Sequence, residues 1–345
     1  MKKICLIVDV KGWAFDMIAQ KIKKDLSNKY DIRIDYFDMY TEEDMLYECL
    51  QRNKDCDLIH FFWRKTLLLF ESESFKKKVL ENGEELYEYI KGISDKISTC
   101  VYDFFYLSSE ETEIYKNVFN EYSSNYYVST QKLFEIYSNN DKYKKPFGVI
   151  NDICDWDAFA PINLERFEEL DRELVIGWVG NSARKENGVD LKGFHTIIKP
   201  VLKELIEEGY NIKSFYADRN ERWRTPEEMP EYYSEIDICL CTSIHEGTPR
   251  PVLEAMTSGV AIISTDVGIV REALGEKQKN FIIGERDYGK NDENIKKNLK
   301  EKIIEIYNNR KILKELSLEN IESIKDYDGG KIIKEFERFF DECLK

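Results

Sequence analysis

The sequence predicts an α/β protein made of two parallel-sheet halves, and three observations carry that expectation. Short apolar runs alternate with amphipathic stretches through the first half. The pattern restarts in the second half. The chain, 345 residues of which 42% are hydrophobic, is long enough to bury two medium-sized cores. In the first half, residues 4–8, 32–37, 58–63 and 98–102 read as strands, with an amphipathic helix over 16–26 between the first two. Residues 126–129 read as the last strand of this half, followed by a helix over 130–137, and residues 147–151 lead out of it. A strand over 174–180 opens the second half and runs into a loop of small residues. Buried strands follow at 236–242 and 260–265, and beyond residue 280 come charged helices at 294–307 and 310–316. The last stretch, 330–344, is amphipathic, and no repeat of fixed period interrupts the order.

A formal net charge of −15 argues against general nucleic-acid binding, because neutralising phosphates needs a basic surface. The eight cysteines include no C-x-x-C pair, and several fall in buried strands, which is the usage of a reduced, cytoplasmic protein. The apolar run after Met1 is broken by Asp9 and Lys11, so it reads as a first strand and not a signal peptide. The apolar cluster 61–70 carries Arg64 and Lys65 and is much shorter than the roughly 20 residues that span a bilayer. Basic clusters at Lys21, Lys23, Lys24 and Lys29, at 76–78, and at Lys142, Lys144 and Lys145 read in two ways. They are either solvated faces interleaved with acids or a peripheral contact with an anionic membrane at its inner face.

The most informative segment runs from Ser243 to Gly259. It leaves the strand at 236–242 through a turn broken by Gly247, Pro249 and Pro251, enters a helix at Val252, and closes on Gly259 as a C-cap. A helix starting at the carboxyl end of a parallel strand presents free N–H groups to an anion such as a diphosphate. Glu254, in the first turns, suits a vicinal diol such as a ribose, and Glu246, in the loop before, suits sugar hydroxyls. Alone, such a pair matches often by accident. Upstream, the loop Gly180, Asn181, Ser182 and Arg184 and the later Lys192-Gly193 pair place two cations after another strand. Fixed cations there would stabilise a departing diphosphate.

The ordered run from Met229 to Glu272 resembles the signature of retaining glycosyltransferases of family 4 type, with its Glu-x7-Glu motif. That resemblance implies the GT-B fold: two Rossmann-like domains with parallel sheets facing across a cleft, and a C-terminal helix crossing back to the first. The matching divisions are an acceptor-side domain over 1–158, a nucleotide-sugar domain over 159–328 and a crossing helix over 329–345. Residues 151–161 resemble the family's interdomain linker, with Asp152 in place of a glycine and one residue inserted. The resemblance implies a donor site built from Gly180, Asn181, Ser182, Arg184, Lys192, His245, Glu246, Gly247, Thr248, Pro249, Arg250, Val252 and Glu254, with Glu246, Arg184 and Lys192 as the catalytic group. On the acceptor side, Gly12 and Trp13 follow the first strand, where Gly12 either lets backbone approach a ligand or simply makes a tight turn, and His60 at the end of another strand is either structural or a residue for acceptor orientation or proton relay. The family often has Thr-x-His-Asp at the stretch ending in Asp103, and Tyr102 stands here where its histidine would be.

Asp-x-Asp triplets at 55–57, 155–157 and 326–328 invite a metal, but about two are expected by chance and none follows a donor-site strand. The expectation is therefore no metal and no cofactor. The chain would move a sugar from a UDP- or GDP-linked donor to a hydroxyl of a glycan, lipid-linked or small-molecule acceptor, with retention, in cell-surface glycan assembly. The alternative is a catalytically silent sugar-nucleotide-binding or scaffold protein on the same fold. A nicotinamide enzyme is disfavoured because no G-x-G-x-x-G follows the first strand.

Overall fold

The computed structural model describes residues 1–40, 45–153, 158–186 and 188–345. Residues 154–157 of the predicted linker, which include Cys154 and the Asp155–Asp157 triplet, lie outside the described residues. The chain divides into two units: Met1–Asp152 with Gly330–Lys345, and Ile153–Gly329. The second unit thus begins before residue 159, the expected boundary. Phe159 is buried there, its ring 5.9 Å from that of Tyr233, and its carbonyl accepts from Ser258 Oγ at 3.3 Å.

The first unit holds one parallel sheet of β1 (Lys3–Val8), β2 (Asp31–Tyr36), β3 (Leu58–Phe61), β4 (Ile97–Val101) and β5 (Asn125–Val128), in the order β2-β1-β3-β4-β5. Strands β3 and β4 are buried along their whole length, as expected of a sheet covered by helices on both faces. The closing helix, Gly329–Cys343, buries Ile332, Ile333, Phe336, Phe339 and Phe340 at helical spacing. Each buried Phe contributes up to about 1.5–3 kcal/mol. At its rim Tyr30 donates to Asp341 at 2.7 Å and Lys29 pairs with Glu337 at 2.9 Å, so this helix is held by the far end of the chain.

The second unit holds β6 (Leu174–Gly180), the short hairpin β7 (Lys185–Glu186) and β8 (Val189–Asp190), β9 (Ile212–Asp218), β10 (Ile238–Cys241) and β11 (Ala261–Ser264). Its main sheet is parallel in the order β11-β10-β6-β9. Successive connections leave β6 in opposite directions, first to β9 and then to β10. The crevice beyond the carboxyl ends of β6 and β10 is therefore a topological switch point, where open α/β sheets bind ligands. Gly177 lets the helix Met229–Glu235 close on β6: a Cβ there would come 2.5 Å from Ile236 and 2.6 Å from the Tyr232 hydroxyl.

Candidate active site at the carboxyl edge of the second sheet

Two loops meet at this switch point. The one after β6 is anchored by Asp218, whose Oδ1 accepts the N–H of Ser182 at 3.1 Å and that of Asn220 at 3.0 Å. Burial pushes this carboxyl upward, but hydrogen bonds from Ser182 and Asn220 outweigh it and hold it below the ordinary aspartate value. The chain then turns through the hairpin and returns to Lys192-Gly193. Gly193 has φ +69°, and a Cβ on it would lie 2.6 Å from Thr242 Oγ1 and 2.9 Å from the Thr242 carbonyl. Only glycine lets the backbone approach β10 so closely.

The second loop, after β10, is joined to the first by Ile244 N–H donating to Leu191 O at 3.0 Å and Thr242 Oγ1 donating to Lys192 O at 2.7 Å. This brings the Lys192 ammonium onto Glu246 Oε1, which also accepts from Ser243 Oγ at 2.8 Å. Both side chains remain partly exposed, 19% and 17%, so the pair borders open space instead of a sealed core. A third loop, after β11, braces them. Gly268 sits at φ +54°, where a Cβ would meet Gly247 O at 2.0 Å, and Ile269 N–H donates to that same oxygen at 3.0 Å.

Beyond the loop, the helix Arg250–Thr257 begins at Pro249 with no side-chain cap, and Pro251 brings no N–H of its own. Glu254 Oε2 accepts the Tyr233 hydroxyl at 3.0 Å, and Arg250 Nε stands 3.7 Å from Oε1. Burial raises the Glu254 carboxyl above the ordinary glutamate value, with Arg250 and Tyr233 pulling against it. The Thr248 hydroxyl is buried with no hydrogen-bond partner among the described residues. His245 Nε2 lies 2.7 Å from the Tyr288 hydroxyl.

Not every residue expected at the donor site faces it. Val252 is fully buried and packs with Tyr233 and Leu253 in the core beneath the helix, so it supports the site without lining it. Gly180 is required for a local reason, since a Cβ would strike the Trp178 ring at 2.6 Å. Asn181 Oδ1 is turned back to the N–H of Ala183 at 3.0 Å. Arg184 is exposed and forms no ion pair among the described residues, and nothing joins it to Lys192.

Several supporting residues escaped the sequence reading. Arg286 is buried and donates to Asp190 O at 2.7 Å and to Thr242 O at 3.3 Å, while Asp292 takes its other edge at 2.7 and 2.9 Å. It staples both loops at once. Asp190 in turn accepts the N–H groups of Gly193, His195 and Thr196 at 3.0, 2.7 and 3.1 Å, closing the helix start that follows. The sequence signal was present only as an unassigned Gly268 and as charged residues in loops.

In the first unit the candidates are scattered in state. Gly12, at φ +78°, is exposed and donates its N–H to Asp16 Oδ2 at 2.7 Å, and Trp13 is 54% exposed. His60 takes the structural of its two readings: it is fully buried in β3, its Nδ1 2.9 Å from Ser98 Oγ, and its ring packs against Phe62, Tyr127, Phe339 and Phe340. Burial lowers its pKa to about 3, so the ring is neutral near pH 7. Asp103 is likewise spent, bound through both oxygens to the buried Arg64 at 2.8 Å each. Of the acidic triplets, Asp55 pairs with Lys3 and Arg33, and Asp57 with Lys2. No helix among the described residues is long and apolar enough to cross a membrane.

Residues 222–317 match the family model of the glycosyl transferases group 1. No protein of curated function matches the chain in sequence. Among solved structures, HepE from Anabaena, determined in complex with UDP and glucose, is similar with a TM-score of 0.64 at 12% identity, over 99% of this chain and 100% of that one. Sucrose-phosphate synthase from Thermosynechococcus elongatus is similar with a TM-score of 0.64 at 11% identity, over 99% of each chain. The catalytic domain of starch synthase IV from Arabidopsis thaliana, bound to ADP and acarbose, gives 0.63 at 10% identity over 99% of each. The α/β fold with its two parallel sheets is therefore that of the GT-B glycosyltransferases, and the matched segment begins at Arg222 and takes in Glu246 and Glu254.

Proposed function

We propose that the chain is a metal-independent, retaining glycosyltransferase that moves a sugar from a UDP- or GDP-linked donor to a hydroxyl acceptor. The observation that carries the reading is the Lys192–Glu246–Ser243 cluster at the β6/β10 switch point, inside a fold shared with proteins solved with UDP or ADP. Lys192 would leave Glu246 for the donor diphosphate and stabilise the leaving charge, and Glu246 would then be released to the donor sugar. Glu254, already turned by Tyr233 and Arg250, would hold the ribose diol, and the uncapped helix start with the Thr248 hydroxyl would take phosphate oxygens. Arg184 would join the phosphates from its exposed position on the loop. Retention enters the proposal from the resemblance of the Glu246–Glu254 run to retaining enzymes, and it would proceed by attack on the leaving-group face, without a covalent glycosyl-enzyme. The acceptor would be a glycan, lipid-linked or small-molecule hydroxyl, in surface-glycan assembly at the cytoplasmic face of the membrane.

The test is calorimetric titration with UDP, GDP and ADP, followed by donor hydrolysis or transfer with the corresponding sugar nucleotides. Lys192→Ala is expected to lose about 10²- to 10³-fold in kcat while still folded, the cost of removing one preorganised charge-stabilising group. Wild-type turnover in that variant would end the assignment. Nucleotide binding with no turnover on any donor would instead favour the silent sugar-nucleotide-binding protein.

A further inference from the structure

Among the described residues two tryptophans stand largely in solvent, and one of them, Trp223, is 57% exposed in the second unit. A tryptophan left in water forgoes much of the stabilisation its large ring would gain by burial, so its placement calls for a reason. Trp223 follows β9 by five residues, and β9 pairs with β6 up to Gly180↔Asp218. The residues on both sides of it are pinned. Arg224 donates to Tyr216 O at 3.1 Å and lies over the Phe215 and Tyr232 rings at 5.5 and 5.3 Å. Thr225 N–H donates to Glu228 at 2.7 Å, and Arg222 pairs with Glu228 as well. Only the indole is uncommitted to the core, and the Arg219 guanidinium backs it at 4.6 Å from the ring centroid.

Arg219 is itself tied to the site: its N–H donates to Gly180 O at 2.8 Å, the last residue of the strand whose loop leads to Lys192. Asp218, next to it, anchors Ser182 and Asn220. Strands β9, β6 and β10 are consecutive in the sheet, so the root of the Trp223 loop lies about two strand spacings, roughly 10 Å, from the root of the Glu246 loop. A flat, cation-backed aromatic surface at that remove from a diphosphate site suits the base of a nucleotide.

We infer that Trp223, backed by Arg219, is the stacking platform for the base of the nucleoside diphosphate donor. This rests on the donor-site reading above. Stacking uses the π-face that every base has, so the platform contributes affinity for uracil, guanine and adenine alike.

Calorimetric titration of UDP, GDP, ADP and inorganic pyrophosphate into the wild type, Trp223→Ala and Trp223→Phe separates the possibilities. Trp223→Ala is expected to weaken all three nucleotides by roughly 10- to 100-fold, with pyrophosphate affinity unchanged. Trp223→Phe should recover most of the loss, and a folded Phe variant that recovers none counts against stacking. Undiminished nucleotide binding by Trp223→Ala overturns the inference alone, as does an equal loss for pyrophosphate, which would mean that the loop and not the ring matters. A wild type that binds none of the nucleotides overturns the donor reading, and the inference with it.

Discussion

The two sheets reverse their strand order in the same way, at β1/β3 in the first unit and at β6/β10 in the second, yet the polar residues near those points are in opposite states. In the first, Arg64 and Asp103 satisfy each other and His60 is sealed under aromatic rings. In the second, Lys192 and Glu246 also satisfy each other, but they stay partly exposed and are positioned by backbone contacts from three separate loops. A buried pair stabilises a fold. A half-open pair held in place by its surroundings is free to exchange its partner for a ligand, and on the proposed function that difference puts the donor chemistry in the second unit.

Three substitutions would break or sharpen this contrast. The largest effect is expected from Arg64→Ala, which leaves the Asp103 carboxylate largely buried without its cation: about 3–5 kcal/mol of stability lost in denaturant unfolding, with nucleotide affinity of the remaining folded protein unchanged. Loss of nucleotide binding by the folded variant would show that the first unit shapes the donor site after all. Next comes Gly268→Ala, where left-handed backbone strain adds to a collision with Gly247 O, a combined cost of about 2–5 kcal/mol. Because that collision falls on the backbone carrying Glu246, turnover at permissive temperature should fall too. An unchanged kcat would mean that the brace is dispensable.

The smallest effect concerns His60, whose ring titrates near pH 6.5 unfolded and near 3 folded. The unfolded chain binds the extra proton, so stability rises with pH through this window and is lost as pH falls below about 6.5. One such group contributes a slope approaching about 1.4 kcal/mol per pH unit. Comparing wild type with His60→Phe between pH 5 and 6.5, above the carboxylate range, should show the shallower slope in the variant. Parallel slopes would mean that His60 is hydrated and charged in the native state, which would reopen its role as an acceptor-side residue.

Much of the donor-side frame was legible in the sequence because it is local. A strand, a turn broken by Gly247, Pro249 and Pro251, and a helix closed by Gly259 are decided by neighbours in the chain, and that frame carries Glu246 and Glu254 with it. Between the structural and acceptor-side readings of His60 the sequence could not choose, because position after Leu58-Ile59 locates it on a strand, while the rings that cover it come from β5 and from the closing helix, nearly 300 residues away. Arg286 was invisible because its partners Asp190 and Thr242 lie 96 and 44 residues away.

The sequence by itself determined the alternation of strands and helices, the glycine- and proline-shaped turns, and the residue types available at each strand end, since periodicity and backbone preference act over a few residues. The tertiary structure alone decided which cations are spent and which are available. It turned Lys192 onto Glu246, Arg64 onto Asp103 and Arg219 under Trp223, because the state of a charge or a ring depends on what lies within a few ångströms, whatever the separation along the chain.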